Sequence, residues 1–400
     1  MTNFDIIKQL SDNTEITEIL GRAVNNGSLD INNNINNNIN NNINNNINNN
    51  INNNITNSID PLDLGDGKKL LGCNDLNLLG AAADTLRKRS AGDLVTFVID
   101  RNINYTNICT SKCKFCAFYR EPDAKDAYVL SIEKILEKVD EAVRLGATQI
   151  LIQGGLNPDI PIEYYEKMLK EVKKKFNVQM HAFSPPEIVH ISKLYGAGIK
   201  ETISRLHEAG LDSIPGGGAE ILDDRVRDSV SPKKIGWKKW QEVMLAAHSL
   251  GIPTTATMVF GHEETLEERI KHIIRVRDMQ KKYHGFTAFI PWTFQSENTG
   301  LIGTSTGIDY LKMVAVSRIL LDGHIQNIQA SWVTQGIDVA QMALDFGAND
   351  LGGTMIEENV VRAAGVPFHS KSIDEFIHAA RKLGRPVAKR DTLYNIIERY

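Results

Sequence analysis

Between about residues 95 and 365 the apolar positions follow two alternating rhythms. Short runs, dense in apolar and β-branched residues, alternate with longer stretches whose apolar residues return every three or four positions, the spacing of one helix face. The short runs are TFVIDRNINY from Thr96, TQILIQGG from Thr148, QMHAFSPPE from Gln179, SIPGGGAEI from Ser213, TTATMVFG from Thr254, FTAFIPWTF from Phe286, NIQASWVTQG from Asn327 and NDLGGT from Asn349. Between them the periodicity predicts helices, the first with Ile132, Ile135, Leu136, Val139 and Val143 on one face, Ser131 as cap and Gly146 as terminator. Further helices are expected over 162–176, around 186–209, and over 232–250, 264–282, 308–322 and 337–346. Eight strands separated by helices predict an α/β fold, a (β/α)8 TIM-type barrel over 96–365. The structural rival is a doubly wound open sheet, but no G-x-G-x-x-G follows the first strand.

Two flanking regions differ. Residues 1–30 and 61–95 read as helical, the second carrying Leu76, Leu79, Ala83 and Leu86 on one face, and 366–400 read as a helical extension. Between the first two lie six consecutive INNN units, Ile31 to Asn54, decaying by residue 58. An apolar residue every fourth position suits neither helix nor strand, and asparagine disfavours both. The tract reads as a disordered insertion, with a self-associating Asn-rich segment as the alternative.

Composition adds exclusions. At 42% apolar and 24% charged, with a net charge of −4, the chain has the make-up of an ordinary soluble protein and no bias toward nucleic acid or anionic membranes. The basic run Lys167, Lys170, Lys173, Lys174 and Lys175 falls at helical spacing and reads as a solvated face. No stretch is long and apolar enough to span a bilayer, and the N-terminus lacks a signal-peptide layout. Four cysteines, three within eight residues, suit a reducing cytoplasm better than a disulfide scaffold.

Those three cysteines, Cys109, Cys113 and Cys116, are spaced C-x3-C-x2-C directly after the first strand. Three thiolates leave one iron of a cubane iron–sulfur cluster open to another ligand. The competing reading is structural zinc, with Cys73 or a histidine as fourth ligand. Polar and glycine-rich residues follow the other strands, at Gln153–Gly155, Ser184, Gly216–Gly218, Gly261–Glu263, Gln335 and Gly352–Gly353. In a β/α barrel these loops share the face that carries the active site. With Phe115 before the third cysteine, the motif resembles the radical S-adenosylmethionine superfamily. The resemblance implies a 4Fe–4S cluster on the three cysteines, with S-adenosylmethionine on the open iron as the source of a 5′-deoxyadenosyl radical. It also implies contacts from Gly154 and Gly155 to the methionine end and from Gly261 to the adenine. Leu156 stands where the superfamily carries an acid, and the role of His262 is open.

The segments HAFSPPEI, GGGAEIL, FIPWTFQSENT, SWVTQG and GANDLGGTMIEENVV resemble the dehypoxanthine futalosine cyclase family of menaquinone biosynthesis. Aminofutalosine synthase and the deazaflavin (FO) synthases share the cluster motif and parts of the rest. The runs Pro291–Gln295 and Ser331–Gly336 favour the cyclase, although Trp292 and Trp332 are equally well read as packing. The resemblance implies hydrogen removal from C4′ of the ribose-like ring, addition to the benzoate ring, and loss of a proton and an electron. Glu220 and His181 are the candidate bases, with Glu357 and Glu358 behind them. Ser184, Thr293, Gln295 and Gln335 are candidates for substrate hydroxyls, and Arg225 or Arg227 for the carboxylate. A flavodoxin or ferredoxin is the implied low-potential electron donor. The alternative from another class is a zinc-binding interaction module. Deleting residues 31–54 is expected to leave turnover of cluster-loaded protein unchanged; a large loss in a soluble, loaded deletant would contradict the insertion reading.

Overall fold

The computed structural model describes residues 3–25, 62–367 and 370–400, so the Asn-rich tract lies outside the described residues. The strands are β1 (Val95–Val98), β2 (Asp100–Ile103), β3 (Gln149–Ile152), β4 (Gln179–Ala182), β5 (Thr254–Phe260), β6 (Phe286–Thr293), β7 (Asp350–Gly353), β8 (Val387–Arg390) and β9 (Ile396–Arg399). Parallel ladders join β2 to β3, β3 to β4, β5 to β6, and β7 to β1. Isolated parallel bridges fill the gaps: His181 with Ser213, Ile214 with Thr254, Phe289 with Ile328, and Gln329 with Asp350. Pairing therefore proceeds in chain order and returns to the first strand. The expected strands at 213–221 and 327–336 contribute only these bridges. Proline and glycines end the first after Ile214, and Trp332 opens a helix, Trp332–Leu344, kinked at Gly336 where φ is +79°.

The expected first strand changes neighbours midway. Its lower half, Val95–Phe97, pairs with β8, while Asp100–Ile103 pairs with β3. The region expected as a helical extension thus holds one helix, Ile373–Lys382, followed by the antiparallel pair β8 and β9. The four-residue run Val387–Arg390, in which Val387, Ala388 and Arg390 are buried, is too short to register as a strand in the sequence. Arg390 faces inward, where its Nε and Nη2 donate to the two carboxylate oxygens of Asp350 at 2.6 and 2.8 Å. Both residues are buried, and the guanidinium stacks 3.9 Å over Tyr394.

Helices cover the outside because their apolar stripes need a partner. Ile132, Ile135, Val139 and Ala142 are the buried face of Ile132–Arg144, whose cap Ser131 accepts from the Lys134 N–H at 3.2 Å. The region expected as one helical stretch at 61–95 is two helices, Leu64–Gly72 and Leu76–Ala91. The first packs on Leu266–Tyr283 so closely that a Cβ on Gly67 would lie 2.5 Å from Ile270. A short helix the periodicity missed, Asp224–Val230, follows the Gly216–Gly218 loop. No helix among the described residues is long and apolar enough to cross a membrane. Replacing Arg390 by Met would leave the Asp350 carboxylate buried without its cation, a loss of about 3–5 kcal/mol. Urea unfolding is expected to show that loss, with partial recovery in the double variant Asp350→Leu, Arg390→Met.

Candidate active site

The stretch after β2 folds into a tight loop whose shape is set by one arginine. The Arg120 guanidinium donates to the carbonyls of Ala117, Phe118 and Tyr119 at 3.0, 3.2 and 2.9 Å, and its backbone N–H to Asn107 at 2.7 Å. Cys109 donates back to the Arg120 carbonyl at 3.2 Å. This folding turns Cys109, Cys113 and Cys116 into one cavity with Phe115, Gly154, Gly155, Glu187 and Lys234. Cys73 stands apart, capping the helix Leu64–Gly72. Burial pushes the Cys113 thiol up to about 12 and raises Cys116, while Lys234 and the N–H groups of Phe118 and Tyr119 favour the thiolates. Without a bound cation two of these thiols would hold their protons. Soft thiolates of this kind select iron–sulfur centres or zinc. A cubane gives each thiolate its own iron, and three thiols lining one cavity are a donor set that fits such a cluster.

The paired glycines are forced by this loop. A Cβ on Gly155 would sit 2.1 Å from the Ile108 carbonyl oxygen and 2.9 Å from Cys109 Cβ; one on Gly154 would enter the Tyr105 ring. The Gly154 N–H donates to Glu187 at 2.9 Å, and the same carboxylate accepts from Tyr105 Oη at 2.8 Å and from both the N–H and the hydroxyl of Ser184 at 2.8 and 2.5 Å. Burial raises the Glu187 pKa against those four donors. Sequence reading missed Glu187, although its place three residues after Ser184, in the first turn of a proline-led helix, is a capping-box signal. The structure commits the Ser184 hydroxyl, expected to meet substrate, to the Glu187 carboxylate.

A second cavity runs inside the strand ring and shares Gln153, Gly217, Gly218, Glu220 and Val360 with the first. Glu220 and His181 both line it. Burial works against ionised Glu220, yet Lys234 at 2.8 Å and Arg227 at 3.4 Å outweigh it and lower its pKa. The backbone at Glu220 holds a left-handed φ of +38° to reach that pair. His181 is buried with Nδ1 on Ser213 Oγ at 2.7 Å, and burial brings its pKa down to about 3, so it is neutral. At the far end, where the strands begin, Asp100 lines the cavity with Gln149, Arg390, Thr392 and Tyr394. One Asp100 oxygen accepts from the Met355 N–H at 3.0 Å and the other only from Gln149 at 3.4 Å. Burial raises this carboxyl to about 6. Glu358 also lines the cavity but its oxygens take the N–H groups of Val360, Val361 and Arg362; Glu357 is bound outside by Arg101 and Lys138.

The remaining candidates divide. Thr293, Gln295 and Gln335 come together, both glutamine amides donating to Thr293 Oγ1, but none lines either cavity. Trp292 lines the inner cavity and its buried indole N–H has no protein partner, whereas Trp332 donates to the Gly353 carbonyl at 3.0 Å and packs on Phe376. Gly261 has φ +95°, its N–H bound to Glu264 and its carbonyl to Thr304. His262 is a buried side chain bound to the Val259 carbonyl. Arg225 pairs with Glu268 on the outside, and Arg227 holds the carbonyls of Ala219 and Ile235.

Sequence profiles place this arrangement. Residues 103–276 match the Radical SAM superfamily and 283–398 the CofH/MqnC C-terminal region. Cyclic dehypoxanthine futalosine synthase of Halalkalibacterium halodurans is 47% identical over 343 residues, 85% of this chain and 92% of its own. The chain belongs to the radical S-adenosylmethionine enzymes, in their CofH/MqnC branch. Members of that superfamily use a 4Fe–4S cluster and S-adenosylmethionine. Within the branch, the 5-amino-6-(D-ribitylamino)uracil–L-tyrosine 4-hydroxyphenyl transferase 1 of Methanosarcina barkeri is 48% identical over 323 residues, 78% of this chain and 85% of its own. The fold is similar to methylornithine synthase, with TM-score 0.64 and 18% identity over 81% of this chain and 94% of that one. Replacing Gly155 by Ala is expected to displace the cysteine loop, lowering iron per protein several-fold after reconstitution while far-ultraviolet circular dichroism stays unchanged.

Proposed function

We propose that the chain is a radical cyclase that converts dehypoxanthine futalosine to its cyclic form in menaquinone biosynthesis. The likeness to the cyclase of Halalkalibacterium halodurans, which extends over 92% of that protein, carries the substrate assignment. The closed path of parallel pairings reads as a (β/α)8 barrel over 96–365, with Cys109, Cys113 and Cys116 holding the cluster at its loop face. When bound, the cluster and S-adenosylmethionine supply a 5′-deoxyadenosyl radical that takes hydrogen from the substrate. Phe115, Gly154 and Gly155 shape the cofactor's seat, and Glu187 fixes the glycine turn; Gly261 lines neither cavity and keeps only the adenine contact that the resemblance implies. The shared wall at Gln153, Gly217 and Glu220 lets the substrate in the inner cavity meet that radical while water is excluded. The unpartnered Trp292 N–H donates to substrate. Rearomatisation needs a proton acceptor. Glu220, tied to two cations, and His181, with its low pKa, are weak bases; Asp100, raised to about 6, is the stronger one and takes the ring proton. The remaining electron would pass to the oxidised 4Fe–4S cluster or to the flavodoxin or ferredoxin, each a one-electron acceptor. A flavodoxin or ferredoxin would supply reducing electrons in a reducing compartment, with no role for nucleic acid.

The 48% identity to the hydroxyphenyl transferase supports a second reading, transfer of a 4-hydroxyphenyl group from tyrosine to the ribitylaminouracil. Anaerobic incubation of reconstituted protein with S-adenosylmethionine and a reductant decides between them. A product two hydrogens lighter than dehypoxanthine futalosine, formed with 5′-deoxyadenosine, supports the cyclase. Turnover only of tyrosine with the uracil overturns it. Because an acceptor must be ionised, cyclisation by the parent should decline as pH falls through about 6. Asp100→Asn should lose at least tenfold in turnover. A buried carboxyl with a raised pKa is costly when charged, so the same variant should unfold at pH 8 no more easily than the parent.

A further inference from the structure

Lys234 is the one lysine or arginine among the described residues lining the cysteine cavity. Its side chain is only 14% exposed, with the ammonium 5.3 Å from the centroid of the Phe115 ring. Glu220 holds it at 2.8 Å, and Arg227 meets the other oxygen of Glu220 at 3.4 Å. Arg227 also grips the carbonyls of Ala219 and Ile235, the neighbours in sequence of Glu220 and Lys234. The three side chains form a mostly buried group of two cations and one anion, with its lysine nearest the cysteines. No step of the chemistry above requires that lysine.

Adding an electron to an iron–sulfur cluster adds negative charge in a poorly screened place, so a fixed nearby cation stabilises the reduced form and a fixed anion destabilises it. Resting on the cluster assignment but not on the choice of substrate, we propose that the Lys234–Glu220 pair sets the cluster's reduction potential. Lys234 draws the potential upward toward the reach of a donor, and Glu220 limits that pull while keeping the ammonium in place.

The test is a redox titration of reconstituted protein without S-adenosylmethionine, followed by electron paramagnetic resonance, at matched iron and sulfide content. Lys234→Met should shift the midpoint to more negative potential, Glu220→Gln to more positive, and Lys234→Arg should leave it near the parent's. Shifts of the Met and Gln variants in the same direction would show altered solvation instead and overturn the proposal, as would unmoved potentials. If Lys234→Met does not hold a cluster, the Glu220→Gln shift alone decides by its sign. A parent that takes up no cluster would refute the cysteine assignment itself, which separates that failure from this one.

Discussion

A charge inside a protein costs several kcal/mol unless an opposite charge meets it there with good geometry. The strand ring is organised around one such meeting, the two-pronged contact of Arg390 with Asp350. Asp350 opens β7 and Arg390 ends β8, and both strands pair with β1, so one ion pair ties three strands together. Thr96 on β1 adds its hydroxyl to the same carboxylate. The interior can then hold a polar floor, with Asp100, Gln149 and Thr392 hydrogen-bonded around the pair, and still remain a cavity. Everything above that floor is built on loops at the strands' other ends.

Two electrostatic regimes result. Near the cysteines, Glu220, Arg227 and Lys234 satisfy one another, and Glu187 collects four donors. The charged side chains of that region are committed to one another and to the backbone. Deeper in, Asp100 keeps one weakly bound oxygen and Trp292 an unpartnered N–H. Unspent hydrogen-bonding capacity in a buried place is where a ligand gains most, because protein groups do not compete for it.

The legible features of the sequence were those with a local cause. Helix faces such as Ile132–Val139 follow from spacing, and the cysteine triplet from a motif whose chemistry needs those intervals. Strands that earn their place by one or two bridges, at Ser213–Ile214 and Ile328–Gln329, look longer in sequence because their apolar residues continue into loop or helix. The C-terminal strands were hidden for the opposite reason: β8 is four residues long and carries two cations, Lys389 and Arg390. Only the distant partners, Asp350 for Arg390 and Glu398 for Lys389, make those charges tolerable. Arg120, Glu187 and Lys234 escaped notice similarly, since their roles depend on carbonyls and carboxylates that the fold brings near. Thr293, Gln295 and Gln335 lie together but satisfy one another.

The pairing of β8 with β1 also has a consequence for synthesis. β1 leaves the ribosome long before the strand that completes its lower edge. Until it arrives, Val95–Phe97 presents unpaired N–H and C=O groups beside an open chamber, the kind of edge that recruits other chains. A nascent chain of this fold is therefore exposed to aggregation until β8 is made and covers that edge, as the stave that seals the side of β1.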